Sequence, residues 1–340
     1  MSLAVVKPLS EFDANAAFGS SPLLQVQNLA VLVPVRRGQA FAVKEVNLDV
    51  EIGRTTALVG ESGSGKTLMS RAILRLDAPP IMVKGSIKFQ GLDLLKLSNR
   101  LMDDVRGRKI GMVFQDPHRS LNPTMTVQTH FVHLLRGRAG MSDAAARLEG
   151  KRLLDQVQIA RSGDRLLSYP HELSGGMKQR IMIGLAIATK PSLLIADEPT
   201  TALDPYVQLE ILTLLRDLQA ETRMAILLIS HDLAVVREVA HTVAVMYAGR
   251  TVETGAADRV LTDPRHPYTQ ALLNSAPDRG VQTDWLPALD GIVPDIENDV
   301  VGCAFADRCA VQDRICRNVR PALRWGEDER MFACHRPNGE

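Results

Sequence analysis

The sequence predicts an α/β fold with a mostly parallel sheet and a phosphate-binding loop at the end of one buried strand. Three observations predict it. Strand-like apolar runs alternate with helix-spaced segments from Thr55 to Tyr247, the pattern of crossover units. Gly60-Glu61-Ser62-Gly63-Ser64-Gly65-Lys66-Thr67 has the form G-x-x-x-x-G-K-[ST], between the run Thr55–Val59 and a helix-spaced set Leu68, Met69, Ala72, Ile73, Leu76. A second apolar strand, Leu193–Ala196, ends in two carboxylates, Asp197 and Glu198.

Taken in order, residues 1–22 read as a flexible arm. Leu23–Val33 and Phe41–Ile52 are strands joined by a turn over Pro34–Gln39, the second with Val46, Leu48, Val50 and Ile52 alternating,. Together they suggest a small antiparallel sheet beside the core. Ser86–Gln90 and Ile110–Phe114 are further strands, the latter delivering Gln115 before Asp116-Pro117 turns the chain away,. Residues 126–137, 142–160 and 176–189 read as helices, the second opening at Ser142,. Pro205 starts another helix with Val207, Leu209, Ile211, Leu212, Leu215 and Leu218 on its apolar face,. Ala225–Ile229 and Val243–Tyr247 complete the strands. Near residue 276 the composition shifts towards Pro, Cys and Arg, which suggests a boundary between a main domain, 23–275, and a C-terminal lobe, 276–340.

Composition narrows the class. With 45% hydrophobic and 23% charged residues the chain can bury a substantial core,. A net charge of +1, from 40 basic and 39 acidic residues, argues against a general nucleic-acid surface,. An aromatic content of 4% disfavours base-stacking platforms,. The N-terminus lacks the order of regions of a signal peptide, and the most apolar stretch, Ile181–Ala196, is interrupted by Lys190 and Pro191. The chain is therefore expected in the cytosol, with any membrane role supplied by partners.

The loop glycines allow a tight turn that aims successive N–H groups at an anion, here the phosphates of a nucleotide. Lys66 adds a point charge for the β- and γ-phosphates, and the Thr67 hydroxyl can ligate Mg²⁺. Asp197 is placed to hold Mg²⁺ through water, and Glu198 to polarise the attacking water as general base. Leu173-Ser174-Gly175-Gly176-Met177 opens a helix whose cap, Ser174, and two glycines leave N-terminal amides exposed,. It is a second anion site, which makes sense if two chains share nucleotides across an interface. Gln115 and His231, each after a buried strand, would alone read as ordinary polar residues.

The whole ordered set resembles the ATP-binding subunit of an ABC transporter. Gly60–Thr67 matches its Walker A loop, Gln115 the Q-loop, Leu173–Met177 the LSGGQ signature, Leu193–Glu198 Walker B, Ala202-Leu203-Asp204 the D-loop and His231 the switch histidine. The resemblance implies a P-loop NTPase with a RecA-like core, a small antiparallel β subdomain and a helical subdomain at about 117–175 that receives a coupling helix from membrane subunits. It implies a head-to-tail dimer with ATP between Walker A of one chain and the signature of the other. In it Asp204 lies near the nucleotide, Gln115 joins Thr67 and Asp197 around Mg²⁺, and His231 meets the γ-phosphate. The aromatic residue that usually stacks on adenine falls at Val33 by position; Phe41 is the nearest aromatic.

Asp263–Leu273, containing His266-Pro267-Tyr268-Thr269, resembles a segment of the dipeptide and oligopeptide importer ATPases, as does Gly302–Cys309 with Cys316 and Cys334-His335 after it. That resemblance implies an importer of di- or oligopeptides, or of nickel, opines or glutathione. It also implies a second ATPase subunit, two membrane permease subunits, an extracytoplasmic solute-binding protein and a place at the cytoplasmic face of the membrane. Cys303, Cys309, Cys316 and Cys334 are spaced more loosely than structural zinc pairs. They suit a [4Fe–4S] cluster better, with Zn²⁺ or unmetallated thiols as alternatives; Arg308, Arg314, Arg317 and Arg320 could offset the charge. Two other classes compete. A soluble ABC ATPase acting on DNA would need a long coiled coil between Gln115 and Ser174, and no sustained heptads occur there. An iron–sulfur redox enzyme would need a flavin or nicotinamide fingerprint, and none accompanies the cysteines.

Overall fold

The computed structural model describes residues 21–36, 38–201, 203–275, 289–298 and 300–338, with the backbone alone at His118. The expected arm lies outside the described residues as far as residue 20, as do Ala202 and the expected boundary at 276.

The chain opens with a long hairpin of β1 (Leu24–Val35) and β2 (Gly38–Val50). Val46, Leu48 and Val50 alternate inward on β2, as a half-buried strand requires,. β3 (Thr55–Val59) is buried throughout. Its two hydroxyls are satisfied inside, Thr56 Oγ1 donating to Asp49 O at 3.2 Å and Thr55 pairing with the Gln219 amide, so the strand carries no unpaired side-chain polar group into the core. α1 (Lys66–Ile73) follows the phosphate loop and buries Met69, Ala72 and Ile73, each large side chain worth about 2 kcal/mol of transfer free energy. The helix stops short of the expected Leu76 because Arg75 turns to φ 51°.

β4 (Met82–Phe89), β5 (Leu92–Asp93) and α2 (Asn99–Val105) come next. β4 starts four residues before the expected Ser86, because Met82, Val83 and Lys84 pair with β1. After β6 (Ile110–Val113) the chain forms α3 (Pro117–Ser120), α4 (Val127–Ala139), α5 (Asp143–Gln156), α6 (Ser162–Arg165) and α7 (Gly175–Ile187). Side chains cap three of these helices: Thr126 accepts from Thr129 N, Ser142 from Ala145 N and Ser174 from Met177 N, each cap worth about 1 kcal/mol. Then come β7 (Leu193–Asp197), α8 (Pro205–Thr222), β8 (Ala225–Ser230), α9 (Leu233–Val239), β9 (Thr242–Tyr247) and β10 (Arg250–Ala256). α10 (Ala257–Thr262), α11 (Pro267–Asn274), α12 (Arg314–Asn318), β11 (Arg324–Trp325) and β12 (Met331–Phe332) end the described chain.

Two sheets result. The antiparallel one has the order β2-β1-β4-β5. The larger has the order β11-β12-β10-β9-β3-β8-β7-β6, in which β9, β3, β8, β7 and β6 are parallel. One apolar cluster packs α4, α5, α7 and α8 on this sheet, with Phe131, Leu153, Ile183 and Leu215 buried in it. A second joins the antiparallel sheet to α1 and the other side of the parallel strands. The third holds Tyr247, Tyr268 and Phe305, whose rings meet at 4.6 and 5.3 Å. The C-terminal hairpin β11–β12 is hydrogen-bonded to β10, Glu253 opposite Phe332. The cysteine-bearing segment thus extends the same sheet that carries the phosphate loop.

Candidate functional site

The parallel strands end on one side of the sheet, and the site is assembled there. β3 delivers the phosphate loop, whose glycines stand at positive φ: 149° at Gly60, 80° at Gly63 and 101° at Gly65. Gly60 is dictated by space as well, since a Cβ there would lie 2.2 Å from Met246 O. Lys66 Nζ donates to Gly60 O at 2.7 Å, Glu61 O at 2.9 Å and Ser64 Oγ at 3.3 Å. Burial lowers the pKa of Lys66, opposed by the carboxylates of Glu198, Asp197 and Glu61.

β7 brings its two carboxylates to α1. Thr67 Oγ1 donates to Asp197 Oδ1 at 3.2 Å. Asp197 is buried, and this raises its pKa against the opposing bond from Thr67. A hydroxyl and a carboxylate in contact beside a phosphate loop are the donor set that Mg²⁺ takes. Glu198 holds its backbone at φ 47°, an unusual region for a side chain with a Cβ, at a cost on the order of 1 kcal/mol. Its amide still donates to Ile229 O at 2.9 Å, so the turn is locked to β8. Three side chains converge on its carboxylate: Gln115 Nε2 at 2.8 Å from Oε2, Thr201 Oγ1 at 2.9 Å from Oε2, and His231 Nδ1 at 3.3 Å from Oε1. Gln115 follows β6 and His231 follows β8, so three adjacent strand ends focus on one group. Thr201 was missed by sequence reasoning, although its position three residues after Glu198 marks it as a neighbour in a tight turn.

The Ser174 side is separate. Ser174 caps α7, and Gly176 lets α7 approach α8, because a Cβ there would lie 2.8 Å from Val207 Cγ1. Asp204 caps α8, accepting from Val207 N at 3.1 Å. Among the described residues no hydrogen bond or ion pair joins Ser174, Gly175 or Gly176 to the phosphate loop. Of the two aromatic-site candidates, Val33 is packed partly into the core, whereas Phe41 is 43% exposed and, with Gly63, lines a cavity of about 420 Å³.

The four cysteines are free thiols, and all four line one small cleft with His266, Phe305 and Ala306. Burial raises the pKa of Cys303 and Cys309 and pushes Cys334 up to about 11, with the neighbouring thiols adding to the shift. Among the described residues, no three His, Cys, Asp or Glu side chains stand close enough to hold a metal ion as placed. The expected cluster and the zinc alternative therefore have a shared cleft but no preformed ligand cage. No described helix is long and apolar enough to cross a membrane.

Comparison with known proteins agrees with this geometry. Residues 43–201 match the ABC transporter family model, and residues 252–316 match the oligopeptide/dipeptide transporter C-terminal region. The chain is 47% identical over 304 residues to the oligopeptide transport ATP-binding protein OppD of Bacillus subtilis, covering 88% of this chain and 85% of that one. It is 43% identical over 316 residues to the dipeptide transport ATP-binding protein DppD of Escherichia coli, covering 93% and 97%. The dimeric ATP-binding cassette MJ0796, solved with ADP and Pi, superposes with a TM-score of 0.62 at 27% identity, over 69% of this chain and 98% of that one. The fold and the strand-end site define an ABC-type ATPase. The chain belongs to the ATP-binding subunits of ABC transporters that carry the oligopeptide/dipeptide transporter C-terminal region.

Proposed function

We propose that the chain hydrolyses ATP to drive import of di- and oligopeptides through partner membrane subunits. The observation that carries the chemistry is the triple hold on Glu198 by Gln115, Thr201 and His231, next to the Thr67–Asp197 contact. In this reading the backbone N–H groups from Ser62 to Thr67 and the Lys66 ammonium bind the β- and γ-phosphates. Thr67 and Asp197, with Gln115, hold Mg²⁺, which would neutralise phosphate charge. Glu198 takes the proton of the attacking water, oriented by Gln115 and Thr201, while His231 turns from Glu198 to the γ-phosphate. Phe41 is the exposed aromatic available to the adenine.

Ser174–Gly176, which make no hydrogen bond or ion pair with the chain's own phosphate loop among the described residues, serve the ATP of a second ATPase subunit in a head-to-tail pair, and Asp204 lies along that interface. An apolar groove of about 330 Å³ beside Gln115, lined by Phe114, Leu121, Leu134 and Met182, supports docking of a coupling helix from two permease subunits. The relatives' printed names support peptides as cargo; in this reading an extracytoplasmic binding protein delivers them, and the chain works at the cytoplasmic face. The shared cleft of Cys303, Cys309, Cys316 and Cys334 supports a [4Fe–4S] ligand set, whose role would be to fold a small lobe with little core of its own. Reconstitution with permease subunits of a peptide importer and a peptide panel tests the reading: ATP-dependent peptide uptake is expected, and ATPase activity indifferent to every peptide would overturn it. Anaerobic purification with an iron assay and a visible spectrum tests the cluster; stoichiometric zinc without a broad band near about 400 nm rejects it.

A further inference from the structure

We infer that Arg308, in the cysteine-bearing segment, is a positioning residue for ATP that sets the phosphate loop by gripping Glu61. The inference rests on the ATPase reading and assigns that site a contact from outside its motifs. A loop with glycines at three positive-φ positions has little stiffness of its own,. Its inner edge is fixed by the close approach of Gly60 to Met246 and by the bonds of Lys66. Its outer edge, at Glu61, is fixed from the C-terminal side. Arg308 Nη1 lies 2.7 Å from Glu61 Oε2 and Nη2 lies 2.9 Å from Oε1, a parallel two-bond fork,. The Glu61 amide donates to Tyr268 Oη at 2.9 Å, so side chain and backbone of this loop residue are both held.

The grip is built rather than incidental. The Arg308 side chain is only 5% exposed. Its remaining donors are used on Asp290 O at 2.9 Å, Leu289 O at 3.1 Å and Tyr247 Oη at 3.3 Å. The guanidinium also lies 5.7 Å from the Tyr247 ring centre and 5.9 Å from that of Phe305,. Arg308 closes the short 3-10 turn Ala306–Arg308, between Cys303 and Cys309. The segment between two cysteines therefore presents the fork, and the order of that segment reaches the phosphates through one carboxylate.

The test measures equilibrium binding of a fluorescent ATP analogue, KM, kcat and thermal unfolding on the full-length chain assembled with its partners. Arg308→Ala is expected to raise Kd and KM for ATP roughly ten-fold, with kcat at saturating ATP within about two-fold. Arg308→Lys, which keeps the charge but loses the fork, falls between the two. The double variant Glu61→Ala with Arg308→Ala is no weaker than the weaker single variant, because both remove one interaction. An Arg308→Ala protein with lowered stability but unchanged KM has only lost a lobe contact, and that result overturns the inference, as do additive single effects. If Arg308→Ala does not fold, Glu61→Gln decides, since it leaves the bonds of Arg308 to Leu289, Asp290 and Tyr247 in place; unchanged ATP affinity overturns the inference. Wild-type protein that fails to bind ATP would sink the ATPase reading itself, whereas binding lost in Lys66→Ala but unaltered at Arg308 sinks this inference alone.

Discussion

Around Glu198, polar side chains from three strand ends meet on one carboxylate and leave His231 half exposed; around Arg330, the guanidinium, Glu253 and His266 are sealed from solvent, and the partner carboxylate of Asp263 reaches it. The buried Arg330 guanidinium bonds Asp263 Oδ2 at 3.0 Å, Arg259 O at 2.9 Å, and the Asp328 carboxylate and Asp263 carbonyl more closely still. Glu253, fully buried on β10, stands beside it and accepts from Arg265 N at 2.8 Å and His266 N at 2.9 Å. Every donor of the Arg330 guanidinium is spent on the protein, and the bonds of this set join β10, α10, α11 and the β12 hairpin. The difference separates a proposed working set, whose His231 stays half exposed beside Glu198, from a docking set whose Arg330, Glu253 and His266 are buried and whose bonds tie separate segments together.

The sharpest way to break the comparison is to change one group in each set and ask whether turnover or folding responds. Glu198→Gln keeps the shape and the bonds that the site can make, and should lower turnover by roughly 10²–10⁴ while ATP still binds. Near-normal hydrolysis in a steady-state assay would reject Glu198 as the base. Arg330→Met removes the buried guanidinium that pairs with Asp263 and Asp328, and leaves the fully buried Glu253 without its nearby cation, which destabilises the fold,. It should lower the thermal midpoint and expose the chain beyond Arg250 to limited proteolysis, with KM for ATP unaltered in the protein that remains folded. A variant as stable as wild type would mean that the sealed network does not hold this region on the sheet. Lys66→Ala should weaken ATP binding roughly ten- to a hundred-fold without shifting the melting curve of the protein alone; titration with labelled ATP checks it, and unchanged affinity would remove Lys66 from the working set.

The working set was legible in the sequence because its geometry is local. A phosphate loop needs glycines at fixed spacing, and a paired-carboxylate strand end needs an apolar run followed by two acids; Gly60–Thr67, Asp197 and Glu198 satisfy one of these, whereas Gln115 and His231 read as ordinary polar residues apart from the ordered resemblance that singles them out. The parallel core was legible for the same reason. The docking set was not. Arg330 and Asp263 are far apart in sequence, and a buried arginine carries no periodic signal that separates it from a solvated one. Short helices such as α9 and α10 escaped because two turns carry too few apolar positions to define a face. The segment His266-Pro267-Tyr268-Thr269 was visible as a motif, but its physical work was not. His266 caps α11, accepting from Tyr268 N at 3.0 Å, and Tyr268 reaches the phosphate loop.

His266 also gives the smallest and most specific test of the contrast, because it belongs wholly to the sealed side. Its ring is buried, and that burial lowers its pKa to about 4. Above the ordinary value of 6.5 both folded and unfolded chains hold it neutral, and its contribution to stability is complete,. As pH falls through the window from 6.5 to about 4, the unfolded chain takes the proton and the folded chain refuses it. Stability is lost across that window, by roughly 2 kcal/mol at pH 5. His266→Asn keeps an acceptor for the Tyr268 amide but does not titrate. The wild-type midpoint for unfolding should therefore drop more steeply than that of His266→Asn between pH 7 and about 4.5. Parallel pH profiles for the two proteins would show that the ring is not held neutral, and that this part of the sealed set is open to water as the Glu198 site is.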